Sequence, residues 1–217
     1  MDQRTDEWFA ARCGKITASQ FHRAMAKPKT KEEEFGKTAI AYMHELIAER
    51  DSHIPADKAT TWAMKWGIQW EDEAKVNAFE AIKEHFDRHD LYHATGDFAF
   101  ILHPEYPDFG CSPDFLVGND ALGEIKCPHN PGNHVRSAIN TEQYFKDEYL
   151  YQIQGSLWIT GRQKYFCATY DPRSISRPLA LTEIQRDDEV IKDMEEKLLK
   201  FRDELQHQFN QFIGHAF

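Results

Sequence analysis

The sequence lacks the features of disulfide-rich, zinc-dependent and membrane-spanning proteins. Its four cysteines lie far apart in 217 residues and form no C-x-x-C pair, so we expect neither a disulfide framework nor a zinc knuckle. The eleven histidines contain no H-E-x-x-H motif, which disfavours a zinc hydrolase. No apolar run approaches the roughly 18 residues of a membrane span, and the first residues lack the apolar region of a signal peptide. These absences predict a cytosolic protein whose thiols are free.

Basic residues are also scarce overall. There are 26 Lys and Arg against 36 Asp and Glu, which gives a net charge of −10 and a pI near 5.5. Such a charge opposes non-specific binding to nucleic acid, but binding depends on where each sign is placed. Residues 1–31 carry seven bases and three acids, a local charge of +4, so residues 32–217 carry −14. The N-terminal segment is therefore the candidate for contact with an anionic partner.

The length and the apolar content predict a single domain with its own core. A chain of 217 residues with 41% hydrophobic residues can bury a sizeable core without a structural metal. We predict one domain over residues 1–217 in three parts: a mainly helical part (1–86), a sheet with a helix (87–173) and a C-terminal helix (174–217). This order indicates an α/β fold with a central mixed β-sheet flanked by helices.

Periodicity locates the individual elements. A short helix is expected to begin with Ser19 as its N-cap and to stop before Pro28. Further helices are predicted near residues 33–49, 61–85 and 141–161, and strands near 98–102, 111–117, 121–127 and 165–170, with a turn at 107–110 and a loop at 128–133. The apolar residues of the last helix are expected to pack on the chain's own body, a subunit seam being the alternative: Ile191, Met194, Leu198, Phe201 and Leu205.

One predicted hairpin brings acidic and basic side chains together. If residues 118–120 form a three-residue loop, the register places Asp114 opposite Glu124, with Cβ atoms about 5 Å apart on one face. Lys126 lies two residues after Glu124 and points to the same face, whereas Ile125 turns into the core. Two carboxylates and an ammonium group would then converge at one point.

This group of side chains suits a divalent cation. Two carboxylates that repel each other can share Mg²⁺, which polarises a phosphodiester and lowers the pKa of bound water. A nearby lysine can orient that water or stabilise negative charge in the transition state. The predicted reaction is metal-assisted phosphodiester hydrolysis. The alternative is that Asp114 and Glu124 are exposed strand residues and that Lys126 pairs with one of them across the sheet.

Five motifs in a fixed order resemble the phage lambda exonuclease and YqaJ-type viral recombinase family, within the PD-(D/E)XK nuclease superfamily. The resemblance spans about residues 4 to 173 and is more specific than the carboxylate pair. The motifs are Trp8-Phe9-Ala10-Ala11-Arg12 with Gly14-Lys15-Ile16-Thr17-Ala18-Ser19, Trp66-Gly67-x-x-x-Glu71, Ser112-Pro113-Asp114, Glu124-Ile125-Lys126-Cys127-Pro128, and Tyr151-Gln152-Ile153-Gln154-x-x-Leu157-Trp158.

The resemblance implies a restriction-endonuclease-like core and a 5′ to 3′ exonuclease that acts on linear double-stranded DNA ends and leaves a 3′ single strand for recombination by annealing. It implies two Mg²⁺ ions, with Mn²⁺ able to substitute. It also implies a ring of three subunits, a single-strand annealing protein as partner, and a phage or prophage origin in a bacterial cytoplasm. Alternatives on the same core are a restriction- or repair-type endonuclease and a non-catalytic scaffold that binds DNA ends.

The resemblance also assigns roles to the acidic residues. Asp114, Glu124 and Glu71 are implied as the metal-binding acids, with the main-chain carbonyl of Ile125 as a further ligand. Lys126 is implied as the catalytic lysine. The alternative for Glu71 is an i,i+4 pair with Lys75 on a solvated helix face.

A second set of residues is implied to hold the terminal 5′-phosphate: Arg12, Ser19, Ser112 and Gln152. A guanidinium forks onto phosphate oxygens, and Ser and Gln add neutral donors. The alternatives are a surface ion pair for Arg12, a helix cap for Ser19 and a turn hydrogen bond for Ser112. Gln154 is the alternative to Gln152. Among the N-terminal bases, Lys29 is the best placed for a loop contact with DNA.

Overall fold

The computed structural model describes residues 1–30, 33–56 and 61–214. The helices are α1 Asp6–Arg12, α2 Phe21–Ala24, α3 Lys37–Ser52, α4 Trp62–Phe86, α5 Pro131–Ile139, α6 Thr141–Thr160 and α7 Asp188–Gly214. The strands are β1 Ile16–Thr17, β2 Leu91–His93, β3 Ile101–Leu102, β4 Phe109–Cys111, β5 Phe115–Val117, β6 Ala121–Lys126, β7 Lys164–Tyr170 and β8 Leu179–Gln185. Short 3₁₀ helices occupy Ala18–Gln20 and Gly96–Phe98.

The main sheet has five strands in the order β2-β5-β6-β7-β8. The β6–β7 pair is parallel, and the other neighbours are antiparallel. A parallel pair needs a long crossover, and here α5 and α6 provide it. A smaller sheet, β1-β4-β3, lies beside the main one in the chain's first half. The prediction of an α/β fold with a central mixed sheet is confirmed.

Both faces of the main sheet are buried, and β7 shows this most clearly. Tyr165 and Cys167 belong to a core cluster that includes residues of α3, α6 and α7, whereas Phe166 and Ala168 pack with α4 on the opposite face. Alternate side chains of a strand point to opposite faces. A strand that is covered on both sides therefore has a continuous run of apolar residues in its sequence. Helix α4 thus forms one layer of the domain, and the other long helices form the opposite layer.

The C-terminal helix packs on the chain itself. All five predicted contact residues of α7 are buried, and Phe201 stacks on Tyr42 of α3 with ring centroids 5.6 Å apart. The four cysteines are free, as predicted. Within the part of the chain that the structure describes, no helix is long and apolar enough to cross a membrane.

Several predicted boundaries in the first half of the chain are wrong. Ser19 is not an N-cap: it lies in the 3₁₀ helix, and α2 begins at Phe21 without a side-chain cap. Phe109 and Gly110 do not belong to a turn but begin β4, which pairs in parallel with β1. That long-range pairing overrides the local turn signal of residues 107–110. The strand predicted at 98–102 is shortened to β3 by the 3₁₀ helix that precedes it.

Two elements of the second half were not predicted. Residues 128–133 are not entirely a loop, because Asn130 caps α5 by accepting a hydrogen bond from the N–H of Gly132 at 3.0 Å. Strand β8 lies in the part that was predicted as C-terminal helix. Its burial is irregular because it is an edge strand of the sheet, so it lacks the strict alternation that marks a half-buried strand.

Candidate active site

The hairpin formed by β5 and β6 has the predicted register. Val117 pairs with Ala121, and the ladder ends at Phe115 and Gly123, one residue before Asp114. The ring of Phe115 lies over Gly123 so closely that a Cβ there would be 2.0 Å from it. Beyond this pair, the backbone N–H of Ile125 donates a hydrogen bond to Oδ2 of Asp114 at 2.7 Å. The carboxylate of Asp114 is thereby fixed to β6, the strand that carries Glu124.

Asp114 lies close enough to Glu124 for the charge of Glu124 to affect its ionisation. Burial and, after it, the negative charge of Glu124 together raise the pKa of Asp114 to about 7. Glu124 is itself buried. Its Oε1 accepts a hydrogen bond from Lys126 Nζ at 2.6 Å, and its Oε2 accepts one from the hydroxyl of Tyr165 at 3.3 Å. Lys126 therefore pairs with Glu124, but along β6 and not across the sheet, and neither carboxylate is an exposed strand residue.

The lysine is held firmly in its charged form. Burial opposes its charge, yet Glu124 and Asp114 together raise the pKa of Lys126 above its ordinary value. Its ammonium lies 5.0 Å from the ring centroid of Tyr149, where the backbone of α6 departs from helical geometry. As predicted, Ile125 turns away and is buried on the α4 side of the sheet.

Glu71 on α4 has two basic partners. Its Oε1 accepts a hydrogen bond from Lys75 Nζ at 2.7 Å, and its Oε2 is paired with the guanidinium of Arg4. The i,i+4 pair is thus present, but the side chain of Glu71 is only 14% exposed, so this is not a solvated helix face. Across residues 1–30, 33–56 and 61–214, no three His, Cys, Asp or Glu side chains form a metal-binding group. The structure brings Asp114 and Glu124 together, whereas Glu71 is paired with Lys75 and Arg4.

The donor set still fits a divalent cation. The pKa of Asp114 is raised to about 7 by burial and by a second carboxylate. Its charged form is therefore not fully stabilised by the neighbouring positive charges. Oxygen-rich sites with such uncompensated charge are those that Mg²⁺ and Mn²⁺ occupy. Asp114 and Glu124 are therefore the two residues of the candidate metal site that the fold itself assembles.

A cavity of about 180 Å³ joins these acids to the predicted phosphate-binding residues. Arg12, Ser19, Ser112 and Gln152 all line this cavity, which we call the small cavity. They come from α1, the 3₁₀ helix, the segment after β4 and α6. Only tertiary packing brings these four segments together.

Arg12 is the principal cationic group of the small cavity. Its Nη1 donates a hydrogen bond to Oγ of Ser112 at 2.7 Å, and its guanidinium lies 4.2 Å from the ring centroid of Trp8. Burial lowers its pKa. No carboxylate of the described residues forms an ion pair with it, so the predicted alternative of a surface ion pair is not realised among them. Arg12 is half-buried and its hydrogen-bond partner in the small cavity is neutral, an arrangement that suits an anionic ligand.

Ser112 is prepared for the same anion. Its Oγ accepts hydrogen bonds from Arg12 and, at 3.1 Å, from Nε1 of Trp8. A serine hydroxyl that accepts twice has its own hydrogen left to donate. Ser19 lines the cavity beside Thr17, with the two hydroxyl oxygens 3.4 Å apart. Both serines can therefore donate to an oxyanion held by Arg12.

The two glutamines of α6 have different surroundings. Gln152 is half-buried at the small cavity. Gln154 is buried elsewhere, where its Nε2 donates to the carbonyl of Gln185 at 3.0 Å and its Oε1 accepts from the N–H of Asp187 at 2.9 Å. Gln154 thus ties α6 to the segment between β8 and α7, and Gln152 is the glutamine that can meet a ligand.

Among the described N-terminal bases, Arg4 and Arg12 line the small cavity and the others do not. Lys29 is exposed in the loop after α2 and lines neither the small cavity nor its larger neighbour. Lys31 falls outside the described residues. Arg23 forms a two-pronged ion pair with Glu45, at 2.6 and 2.7 Å, and lies over the ring of Tyr42. The proposed contact of Lys29 with DNA stays a prediction.

Residues to which the sequence analysis assigned no role complete the site. Tyr165 supports Glu124 from β7, a contact that depends on the parallel β6–β7 pairing. Trp8 braces Arg12 and Ser112. Arg4 pairs with Glu71 across 67 positions of sequence. A second cavity of about 720 Å³ adjoins the small one and shares Arg4, Trp8, Arg12 and Thr17 with it. We call it the large cavity.

Solved structures of exonucleases are similar to this chain. The alkaline exonuclease LHK-Exo from Laribacter hongkongensis is 33% identical, with 98% of both chains covered and a TM-score of 0.81. The same enzyme in complex with dAMP is 34% identical with the same coverage and TM-score. A phage-related exonuclease from Haemophilus somnus 129PT shares the fold at 17% identity, covering 94% of this chain and 96% of its own, with a TM-score of 0.66.

Family-level similarity agrees with these structures. Among curated protein sequences, none matches the chain. The YqaJ-like viral recombinase domain matches residues 7–163, which include every predicted site residue. The match and the exonuclease neighbours support a nuclease of the phage exonuclease type. The chain belongs to the YqaJ-like viral recombinase family.

Proposed function

We propose that the protein is a Mg²⁺-dependent exonuclease that degrades one strand of linear double-stranded DNA from its 5′ end and leaves a 3′ single strand for recombination by annealing. One observation carries this proposal. The small cavity is lined both by the carboxylate pair, Asp114 and Glu124, and by Arg12, a half-buried cation with no ion-pair partner among the described residues. A group suited to a terminal phosphate and a group suited to metal therefore line one cavity.

The metal would be held by Asp114 and Glu124, with the main-chain carbonyl of Ile125 and the carboxylate of Glu71 as further ligands. A bound Mg²⁺ supplies Lewis-acid activation of the phosphodiester and of a water molecule. Binding the metal also removes the repulsion between the two carboxylates, which favours the charged form of Asp114.

Lys126 supplies the fixed positive charge for the reaction. Glu124 holds its ammonium at 2.6 Å, and Tyr165 holds the other oxygen of that carboxylate. Because the pKa of Lys126 is raised, it stays charged at neutral pH. It can donate hydrogen bonds to an oxygen of the scissile phosphate, where negative charge grows in the transition state. Lys126 is therefore assigned a catalytic role.

Selection of a strand end follows from the position of Arg12. Arg12 lines the small cavity, of about 180 Å³, together with the two acids. Arg12, Ser19, Ser112 and Gln152 would bind the terminal 5′-phosphate there. A strand so anchored presents its next phosphodiester to the acids, which favours exonuclease over endonuclease action.

The partners and the assembly are proposals from the family. We infer a ring of three subunits around the duplex and an associated single-strand annealing protein. Sedimentation of the purified chain tests the ring, since a monomer at working concentration would exclude it. Origin in a phage or prophage and action in a bacterial cytoplasm are part of the same proposal.

Digestion of end-labelled DNA tests the function. With Mg²⁺, a linear duplex carrying 5′-phosphates should lose nucleotides from its 5′ ends, while a covalently closed circle stays intact and EDTA stops the reaction. Loss of label first from 3′ ends would contradict the polarity. Nicking of the circle would instead favour an endonuclease. End binding without hydrolysis in either Mg²⁺ or Mn²⁺ would favour a non-catalytic scaffold.

A further inference from the structure

The first five residues form a strap across the mouth of the site. The N–H of Gly96 donates to the carbonyl of Met1 at 2.8 Å, and the side chain of Gln3 donates to the carbonyl of Pro113 at 2.6 Å, next to Asp114. At its other end, Thr5 caps α1 by accepting from the N–H of Trp8 at 3.4 Å. We call residues 1–5 the N-terminal strap. Hydrogen bonds at both ends fix its path.

Arg4 occupies the middle of the strap in an unusual conformation. Its φ is +67°, in the left-handed region that a side chain other than glycine adopts only at a cost in free energy. Strained conformations persist where the surrounding structure imposes them, and they cluster at functional sites. Here the anchored strap imposes the conformation, and the guanidinium of Arg4 meets the carboxylate of Glu71.

The two bases at Glu71 are not equivalent. Lys75 is as buried as Glu71, each side chain being 14% exposed, and it lies on the same helix. Arg4 is 46% exposed and lines both cavities, including the small one that contains Asp114 and Arg12. One cation is enough to neutralise one carboxylate, so Glu71 retains a partner if Arg4 leaves. Arg4 is the base that can move and that a DNA strand can reach.

We propose that Arg4 is an exchangeable counter-ion: it neutralises Glu71 in the free protein and binds a phosphate of the DNA strand once Glu71 takes part in holding a divalent cation. This inference rests on the proposed function. A divalent cation beside Glu71 would repel both Arg4 and Lys75, and only Arg4 has freedom to withdraw. An incoming phosphate supplies the anion that Arg4 then lacks, and a guanidinium binds phosphate oxygens in two-pronged geometry. Arg4 would add substrate affinity at the point where metal is bound.

Substitution of Arg4 tests both halves of the exchange. Arg4→Gln should bind Mn²⁺ tighter than the wild type in calorimetry without DNA, by roughly fivefold, the low end of typical coupling between sites. In Mg²⁺, and in a Lys126→Ala background that prevents hydrolysis, the same change should weaken binding of a 5′-phosphorylated duplex. The slope of log affinity against log salt should become shallower by about 0.7 to 0.9, the contribution of one phosphate contact. Arg4→Lys should retain part of the DNA affinity.

Arg202→Gln on α7 removes the same charge from a residue whose partner is Asp203, and it serves as the control. Unchanged Mn²⁺ affinity or an unchanged salt slope in Arg4→Gln, relative to this control, would overturn the exchange. A wild-type protein that binds no Mn²⁺ and degrades no DNA would instead defeat the proposed function. The two failures are therefore distinguishable, and thermal unfolding of each variant shows whether the strap change disturbs folding.

Discussion

The carboxylate of Asp114 accepts a hydrogen bond from the backbone N–H of Ile125 at 2.7 Å, so the first acid of the site is attached to the strand that carries the second. This bond lies just past the end of the β5–β6 ladder, where strand pairing no longer fixes the side chain. The relative position of Asp114 and Glu124 therefore depends on the hairpin as a unit. The effect of a substitution on the hairpin can be measured separately from its effect on hydrolysis.

Lys126→Ala should slow hydrolysis strongly and leave DNA binding intact. Loss of a charge that stabilises the transition state costs about 10²- to 10³-fold in rate, while binding depends on many phosphate contacts. Digestion rate and duplex affinity are measured in parallel. Lys146→Ala, which removes an exposed i,i+4 pair with Glu142, is the control. Wild-type hydrolysis in Lys126→Ala would exclude the catalytic role.

Arg12→Ala should reduce the preference for 5′-phosphorylated over 5′-hydroxyl ends. Hydrogen bonds to a charged group contribute about 1.5–3 kcal/mol, so the preference should fall by roughly 10- to 100-fold. The rate on 5′-hydroxyl ends should fall less, because those ends lack the phosphate that Arg12 binds. Competition between the two substrates in one reaction measures the ratio. An unaltered ratio would remove Arg12 from end recognition.

Gln152→Ala and Gln154→Ala should affect different properties. The change at Gln154 should lower stability, and the change at Gln152 should weaken binding of strand ends. Gln154 makes two hydrogen bonds in a buried position, so its loss should lower the free energy of unfolding by about 1–3 kcal/mol. Gln152 lines the small cavity, so its loss should change stability by less than about 0.5 kcal/mol and should weaken binding of 5′-phosphorylated ends. Chemical denaturation and end-binding assays on both variants check this. Equal behaviour of the pair would contradict the assignment.

Gly123→Ala should destabilise the hairpin. The new Cβ would lie 2.0 Å from the ring of Phe115, which is fully buried and cannot withdraw, so we expect a loss of about 1–3 kcal/mol. Gly67→Ala in α4 is the matched control, since nothing lies within 4 Å of its added Cβ and alanine favours a helix. Urea unfolding compares the two. A neutral Gly123→Ala would show that the ring of Phe115 can yield.

The ion pair of Arg88 with Asp120 should contribute to stability at neutral pH and fail in acid. Hydrogen bonding to Arg88 lowers the pKa of Asp120, so the folded state favours the charged carboxylate. The contribution is present above the unfolded pKa of about 4 and is lost as pH falls through the lower folded pKa. Asp120→Asn should therefore flatten the decline of stability below about pH 5. Glu80→Gln, on the exposed side of α4, is the control, and a decline as steep as the wild type would refute the linkage.

The net charge of the whole chain does not describe the charge at the small cavity, because single bases differ in their partners. Of the bases in the N-terminal segment, Arg23 is paired with Glu45 and Arg4 with Glu71. Arg12 is left without an acidic partner among the described residues, inside a cavity that also contains two acids. A protein with a charge of −10 can thus offer a basic group to an anion, while its acidic surplus is spread over other elements. Helix α7, with seven acids and four bases, contributes a net −3.

The sequence by itself determined the parts of the site that depend on neighbours in the chain. The register of Val117 with Ala121 follows from a three-residue loop, and the strand period of two then separates Lys126 from Ile125. Helix α7 was readable because its apolar spacing repeats over many turns. Strand β4, which is short, and strand β8, which lies at the sheet edge and lacks regular alternation, could not be predicted from the sequence.

Only the tertiary structure decided which residues share a cavity and which charges are paired. Tyr165 reaches Glu124 because β7 lies parallel to β6, and Arg4 reaches Glu71 because the strap crosses to α4. Likewise, packing of α6 places Gln152 in the lining of the small cavity, which Arg12 also lines, and brings Gln154 to the carbonyl of Gln185. The physical reason is the same in each case. Local sequence fixes the face on which a side chain lies, whereas its partner is set by long-range burial, which pairs segments far apart in the chain.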